Sequence, residues 1–149
     1  MEKVEFLILR NLLYNEEYVR KVIPFIKAEY FEDFNQKVVF EEILNFVQEY
    51  NTPATKEVLC IETEKRQDIN DSSFKEITDL IGSLEESPAE FNWLVETTEK
   101  WCRDRAIYLA LMESIQLADG KDESKGRDAI PTILSDALSV SFDTNVGHD

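Results

Sequence analysis

The chain has 149 residues, 43% of them apolar, a net charge of −15, four glycines and four prolines. That length allows one domain, or one domain with an appendage, and so few turn residues exclude an all-β chain, which needs them every ~8–12 positions. The acidity disfavours direct, strong binding to DNA, RNA or an anionic membrane, because each phosphate contact calls for lysine or arginine.

In chain order, Val4, Leu7, Ile8 and Leu12 mark a first amphipathic helix over about 2–14. Asn15 is placed to cap a second, with Glu16 and Glu17 at its positive end and Pro24 set to kink or shorten it. Glu29-Tyr30-Phe31 is an aromatic link. Residues 35–50 read as a third helix, apolar over so wide a face that it is expected at the centre, ended by Asn51-Thr52-Pro53. Thr55 caps a short helix through Ile61, and 66–71 read as a polar loop. Ser73-Phe74-Lys75-Glu76 reads as a capping box opening a fifth helix.

Ser87-Pro88-Ala89-Glu90 reads as another capping box, with proline at the first helical position, opening a helix to about Asp119. Leu94, Trp101, Tyr108 and Ile115 fall one heptad apart, while Thr98 and Arg105 interrupt the other seam. Gly120 suits the left-handed position that ends a helix. After a charged loop, 121–128, Ile130, Ile133, Leu134, Ala137 and Leu138 mark a shorter amphipathic helix. At ~1.5 Å per residue the long helix would reach ~45 Å. A compact fold of this size has a radius of gyration of ~15 Å. Part of the helix is therefore expected to project.

The expected architecture is all-α: a small globular helical bundle over 1–86, a projecting antiparallel helical hairpin over 87–141, and a linker start over 142–149. The candidate subunit interface is Leu94, Trp101, Tyr108, Met112 and Ile115 on the long helix, with Ile130, Ile133, Leu134 and Leu138 on the short one. Such a stripe is a liability in water unless a second copy covers it.

Reactive chemistry has little to work with. No G-x-x-x-x-G-K-[ST] phosphate cradle occurs; Gly120 to Gly126 has the wrong spacing. His148, the one histidine, lies next to the last residue, so a histidine-based triad would depend on the tail. Two distant cysteines and one histidine do not close a zinc site, and Asp119, Asp122 and Glu123 lack calcium-loop spacing. The pairs Glu16-Glu17, Glu41-Glu42 and Glu85-Glu86 read as solvated helix faces, since helix neighbours point apart. No catalytic, cofactor or metal site is expected. No apolar run approaches the ~20 residues of a membrane span, and Met1-Glu2-Lys3-Val4 lacks a signal pattern. The expectation is a cytoplasmic protein in which Cys60 and Cys102 stay free thiols.

Several segments resemble the N-terminal domain of DnaB-family replicative helicases: Leu7-Ile8-Leu9-Arg10-Asn11-Leu12-Leu13, then Glu29-Tyr30-Phe31 with Val39-Phe40-Glu41-Glu42-Ile43, then Asn92-Trp93-Leu94-Val95 through Arg103-Asp104-Arg105-Ala106. The tail from Ala137 to Asp149 is similar to the segment leading into the motor domain, and the likeness is nearest to the helicases of T-even-type phages. The acidic loop at 121–128 has no counterpart in that likeness. The resemblance implies a fragment whose ATPase motor, with ATP and magnesium, lies beyond Asp149. It also implies a collar that pairs with copies of itself and contacts primase and the helicase loader. The rival reading is an acidic DNA mimic or inhibitor, which would show carboxylates in continuous surface rows.

Overall fold

The computed structural model describes residues 3–121 and 125–142. They form seven α-helices and short 3-10 turns, with no strand among the described residues, so the chain is all-α. The helices are α1 (Lys3–Tyr14), α2 (Glu16–Val22), α3 (Phe34–Tyr50), α4 (Lys56–Glu64), α5 (Asp71–Gly82), α6 (Phe91–Ala118) and α7 (Ile130–Leu138). The chain divides into two compact units, one ending at Val95 and the other beginning at Glu96; α6 runs across the division.

In the first unit the helix ends follow local capping chemistry. Asn15 Oδ1 accepts the Tyr18 amide at 3.0 Å, Asp33 Oδ2 that of Gln36 at 3.0 Å, and Thr55 Oγ1 that of Val58 at 3.2 Å. α2 stops at Val22, and Pro24 sits in a 3-10 turn over Ile23–Phe25. Asn51 ends α3 in the left-handed region, at φ 57°. Its side chain and carbonyl accept from Arg20 at 3.1 and 3.2 Å, tying that end to α2.

Two helix starts differ from the sequence expectation. α5 begins at Asp71 because Asn70 Oδ1 takes the Ser73 amide at 2.7 Å; Ser73 is thus inside the first turn and is not the cap. α6 begins at Phe91, not at Ser87. The Glu90 carboxylate itself accepts from the Asn92 and Trp93 amides at 3.1 and 2.8 Å, and residues 84–90 stay outside any helix.

α3 is the central helix of this unit, packing against α1, α4 and α5. Its Val38, Val39, Phe40 and Ile43 are fully buried, with Ile8, Leu9, Leu12, Tyr18, Leu59, Ile77 and Ile81 around them. The Phe31 and Phe40 rings meet at 5.3 Å, which places the aromatic link in the core. Tyr14 Oη donates to the Leu84 carbonyl at 2.9 Å and fixes the segment leaving α5.

In the second unit Gly120, at φ 74°, ends α6 in the conformation that glycine tolerates best. Arg127 Nε donates to the Ala118 carbonyl at 3.1 Å, placing a cation at the negative helix end. After α7 the chain returns to α6: Arg103 Nε donates to the Val140 carbonyl at 3.0 Å, and the Phe142 amide donates to Glu99 Oε2 at 2.9 Å. Phe142 is buried. His148, Asp122, Glu123 and the expected linker from 143 onward lie outside the described residues.

Candidate functional site

The second unit carries the candidate face. At ~100° per residue, Tyr108, Leu111, Met112 and Ile115 fall within about a 100° arc of α6. They are 47, 47, 41 and 51% exposed. On the opposite side of the same turns, Ala110, Ser114 and Leu117 are buried. The Arg105 guanidinium lies 5.0 Å from the Tyr108 ring centroid, a cation–π contact at one end of the stripe. Leu138 of α7 is 64% exposed.

The structure distributes the sequence-predicted residues over three environments. Leu94 belongs to the first unit and is fully buried, and Trp101 is buried. Ile130, Ile133 and Leu134 are half-buried. Tyr108, Met112, Ile115 and Leu138 are exposed. One heptad register thus runs from covered to uncovered along one helix, and Leu111 joins the uncovered part. Its spacing of three from Tyr108 and four from Ile115 is the signal that would have found it.

Ion pairs lie on this unit. Lys125 Nζ is 2.9 Å from Glu113 Oε2, Lys100 Nζ is 2.9 Å from Asp104 Oδ2, and Arg103 Nη2 is 3.4 Å from Glu99 Oε2. Burial, and secondarily the Glu99 charge, pushes the Cys102 thiol up to about 12, so it is an inert packing group. Cys60 is half-buried, and burial raises its thiol too.

A tight polar cluster sits in the first unit. Arg66 binds Glu42 Oε2 at 2.7 Å, Glu41 Oε1 at 3.0 Å and Asp68 Oδ2 at 2.7 Å. These bonds, Asp68 first, raise the arginine further above its ordinary value, and Arg66 in turn lowers the Asp68 carboxyl. The guanidinium is spent on three carboxylates that belong to its own fold, which makes this a clamp of the 65–70 loop onto α3. Sequence reading took that loop as merely polar. Nothing in local spacing links Arg66 to Glu41 and Glu42, 25 and 24 residues away.

Grooves open on the first unit. One, of about 220 Å³, lies where Val19 and Ile23 face Val47 and Pro53. Another, of about 210 Å³, lies between α3 and α4. Among the described residues no three His, Cys, Asp or Glu side chains are grouped to hold a metal ion, and no helix is long and apolar enough to cross a membrane.

The class defined by this arrangement is an α-helical domain with a well-filled first unit and an uncovered apolar stripe on its second. No family model matches the chain. Over 96% of its length, however, the chain is 33% identical to the DnaB-like replicative helicase of Enterobacteria phage T4. The chain spans about a third (32%) of that relative's length. It is related to the DnaB-like replicative helicases, the family that its sequence motifs resemble, and the coverage is consistent with an N-terminal domain of one.

Proposed function

We propose that this chain is the collar domain of a hexameric, ATP-dependent replicative DNA helicase, joining copies of itself through the second unit and docking primase and the helicase loader. The observation that carries the self-association is the stripe Tyr108, Leu111, Met112 and Ile115, each close to half exposed within two turns of one helix. Full burial of such side chains is worth ~1.5–3 kcal/mol each, so covering them with a sister helix is favourable where covering them with water is not. The related helicase and the coverage of only part of it support placing the motor in the remainder of a longer protein, at work in the cytoplasm of an infected bacterium.

ATP and magnesium belong to that motor in this reading. In support of it, Gly82 and Gly120 lie at the C-terminal ends of helices, where carbonyls face outward and phosphate is repelled. The mimic reading has less support. Acidic side chains alternate with basic ones along the helices, as in Glu16–Arg20, Lys75–Asp79 and Lys100–Asp104, and a phosphate-like row would run unbroken.

Sedimentation of the chain over a range of concentrations tests the assembly. A mass above that of one chain, returning to monomer in Met112→Asp with helicity retained, is expected; a monomer throughout overturns self-association. Co-sedimentation with the cognate primase tests the docking half separately.

A further inference from the structure

The groove between α3 and α4 has no part in self-association as proposed above. Its floor is apolar: Phe46 and Tyr50 from α3, Val58 and Ile61 from α4. The Phe46 and Tyr50 rings stack at 4.7 Å with a 40° tilt, yet Tyr50 remains 59% exposed and Ile61 50% exposed. Two large apolar side chains thus flank a hollow of about 210 Å³. That volume suits one or two aliphatic side chains and falls short of the ~300–1,000 Å³ of small-molecule sites.

The rim is acidic. Glu42, Glu49 and Glu62 line it, and no lysine or arginine does. Glu42 is held by Arg66, and Glu62 by Lys65 at 3.0 Å, a contact in which the lysine is 66% exposed. Exposed pairs of that kind are weak and exchange readily. Glu49 carries no ion pair among the described residues.

Charge selects the occupant. A second copy would bring a net −15 to a negative rim. Nucleic acid and anionic lipid are repelled for the same reason. A cationic protein segment fits on both counts, with aliphatic groups for the floor and ammonium or guanidinium groups for Glu49 and Glu62.

We infer that the α3–α4 groove docks a lysine- or arginine-bearing amphipathic helix of a partner protein, an aliphatic side chain seated between Tyr50 and Ile61. This gives the docking half of the proposed function a face, and rests on it. The partner helix presents apolar residues at helical spacing toward the floor and its cations to either side.

The test is a titration of the full chain, followed residue by residue in amide NMR spectra. The probe is a short synthetic leucine–lysine amphipathic helix, with a scrambled peptide of equal composition beside it. Saturable shifts confined to 42–50 and 58–62 are expected for the amphipathic peptide. Affinity should fall about tenfold in Ile61→Asp, a loss of ~1.4 kcal/mol, and fall further as salt rises. Tyr50→Ser repeats the test should Ile61→Asp lose helicity. Equal binding of the scrambled peptide, shifts spread over carboxylates without saturation, or shifts mapping to 108–115 would each overturn the inference. So would a fall in self-associated mass in Ile61→Asp, which would make the groove a contact between copies. Primase binding that survives Ile61→Asp removes the groove and leaves docking intact, whereas absence of primase binding by the unmutated chain removes docking itself.

Discussion

The two halves of α6 carry similar side chains to opposite ends. Toward its start, Leu94, Trp101 and Cys102 are buried; toward its end, Tyr108, Leu111, Met112 and Ile115 stand in water. The first unit shows what this sequence does when it has the material to close a core, since Tyr18, Phe31, Phe40 and Ile43 are all within 1% of full burial. Over 108–117 the second unit turns Ala110, Ser114 and Leu117 inward and leaves Tyr108, Leu111, Met112 and Ile115 outside. Four large apolar side chains left in water on two turns of one helix is unlike a self-sufficient fold. It is the pattern of a helix that needs a neighbour.

That contrast is open to direct attack. The largest effect is expected at Phe40→Ala, a cavity at the centre of the first unit, with a loss of ~3–5 kcal/mol in denaturant unfolding. Trp101→Ala should behave as a core substitution as well, costing ~3 kcal/mol. Tyr108→Ser, one heptad on, should cost less than ~1 kcal/mol in the monomer while weakening self-association. A large monomer loss at Tyr108 with none at Trp101 would erase the difference between the two halves.

Next in size is the Arg66 clamp. Arg66→Ala leaves Glu42, which is 8% exposed, without its cation, and a loss of ~1–2 kcal/mol is expected in thermal unfolding. Smaller still is a difference in thiol reactivity: a disulfide reagent at pH 8 should modify Cys60 well before Cys102, which reacts only on unfolding. The smallest effect concerns acid. Arg66 lowers the Asp68 carboxyl, so its contribution is present above the ordinary value of ~4 and is lost as pH falls through the lowered one. Asp68→Asn should remove that contribution at neutrality, a small loss because the Asp68 side chain is 54% exposed, and flatten stability against pH below ~4.

Much of the architecture was legible because it is written locally. The caps at Asn15 and Thr55, the stop at Gly120, the break at Pro24 and the central position of α3 all follow from residues within a few positions. The errors came from rival local chemistry. Ser73 and Ser87 each open a plausible box, but Asn70 and Glu90 satisfy the amides that start α5 and α6. The candidate face was only half legible. A heptad names which residues share a side, yet whether that side meets protein or solvent depends on distant packing, so Leu94 and Tyr108 look alike in sequence. Leu111 escaped because it follows the three-residue step between heptad positions. Arg66 escaped because ion pairs spanning 24 or 25 residues leave no spacing to read.

The most direct test uses Met112, 41% exposed in the single chain and the only methionine besides Met1. Its oxidation by peroxide, followed by mass spectrometry of the Met112 peptide, reports access to the middle of the stripe. If a second copy covers the stripe, oxidation slows as chain concentration rises and recovers in Ile115→Asp. A rate that stays constant from dilute to concentrated solution would show that no sister molecule lies over this part of α6.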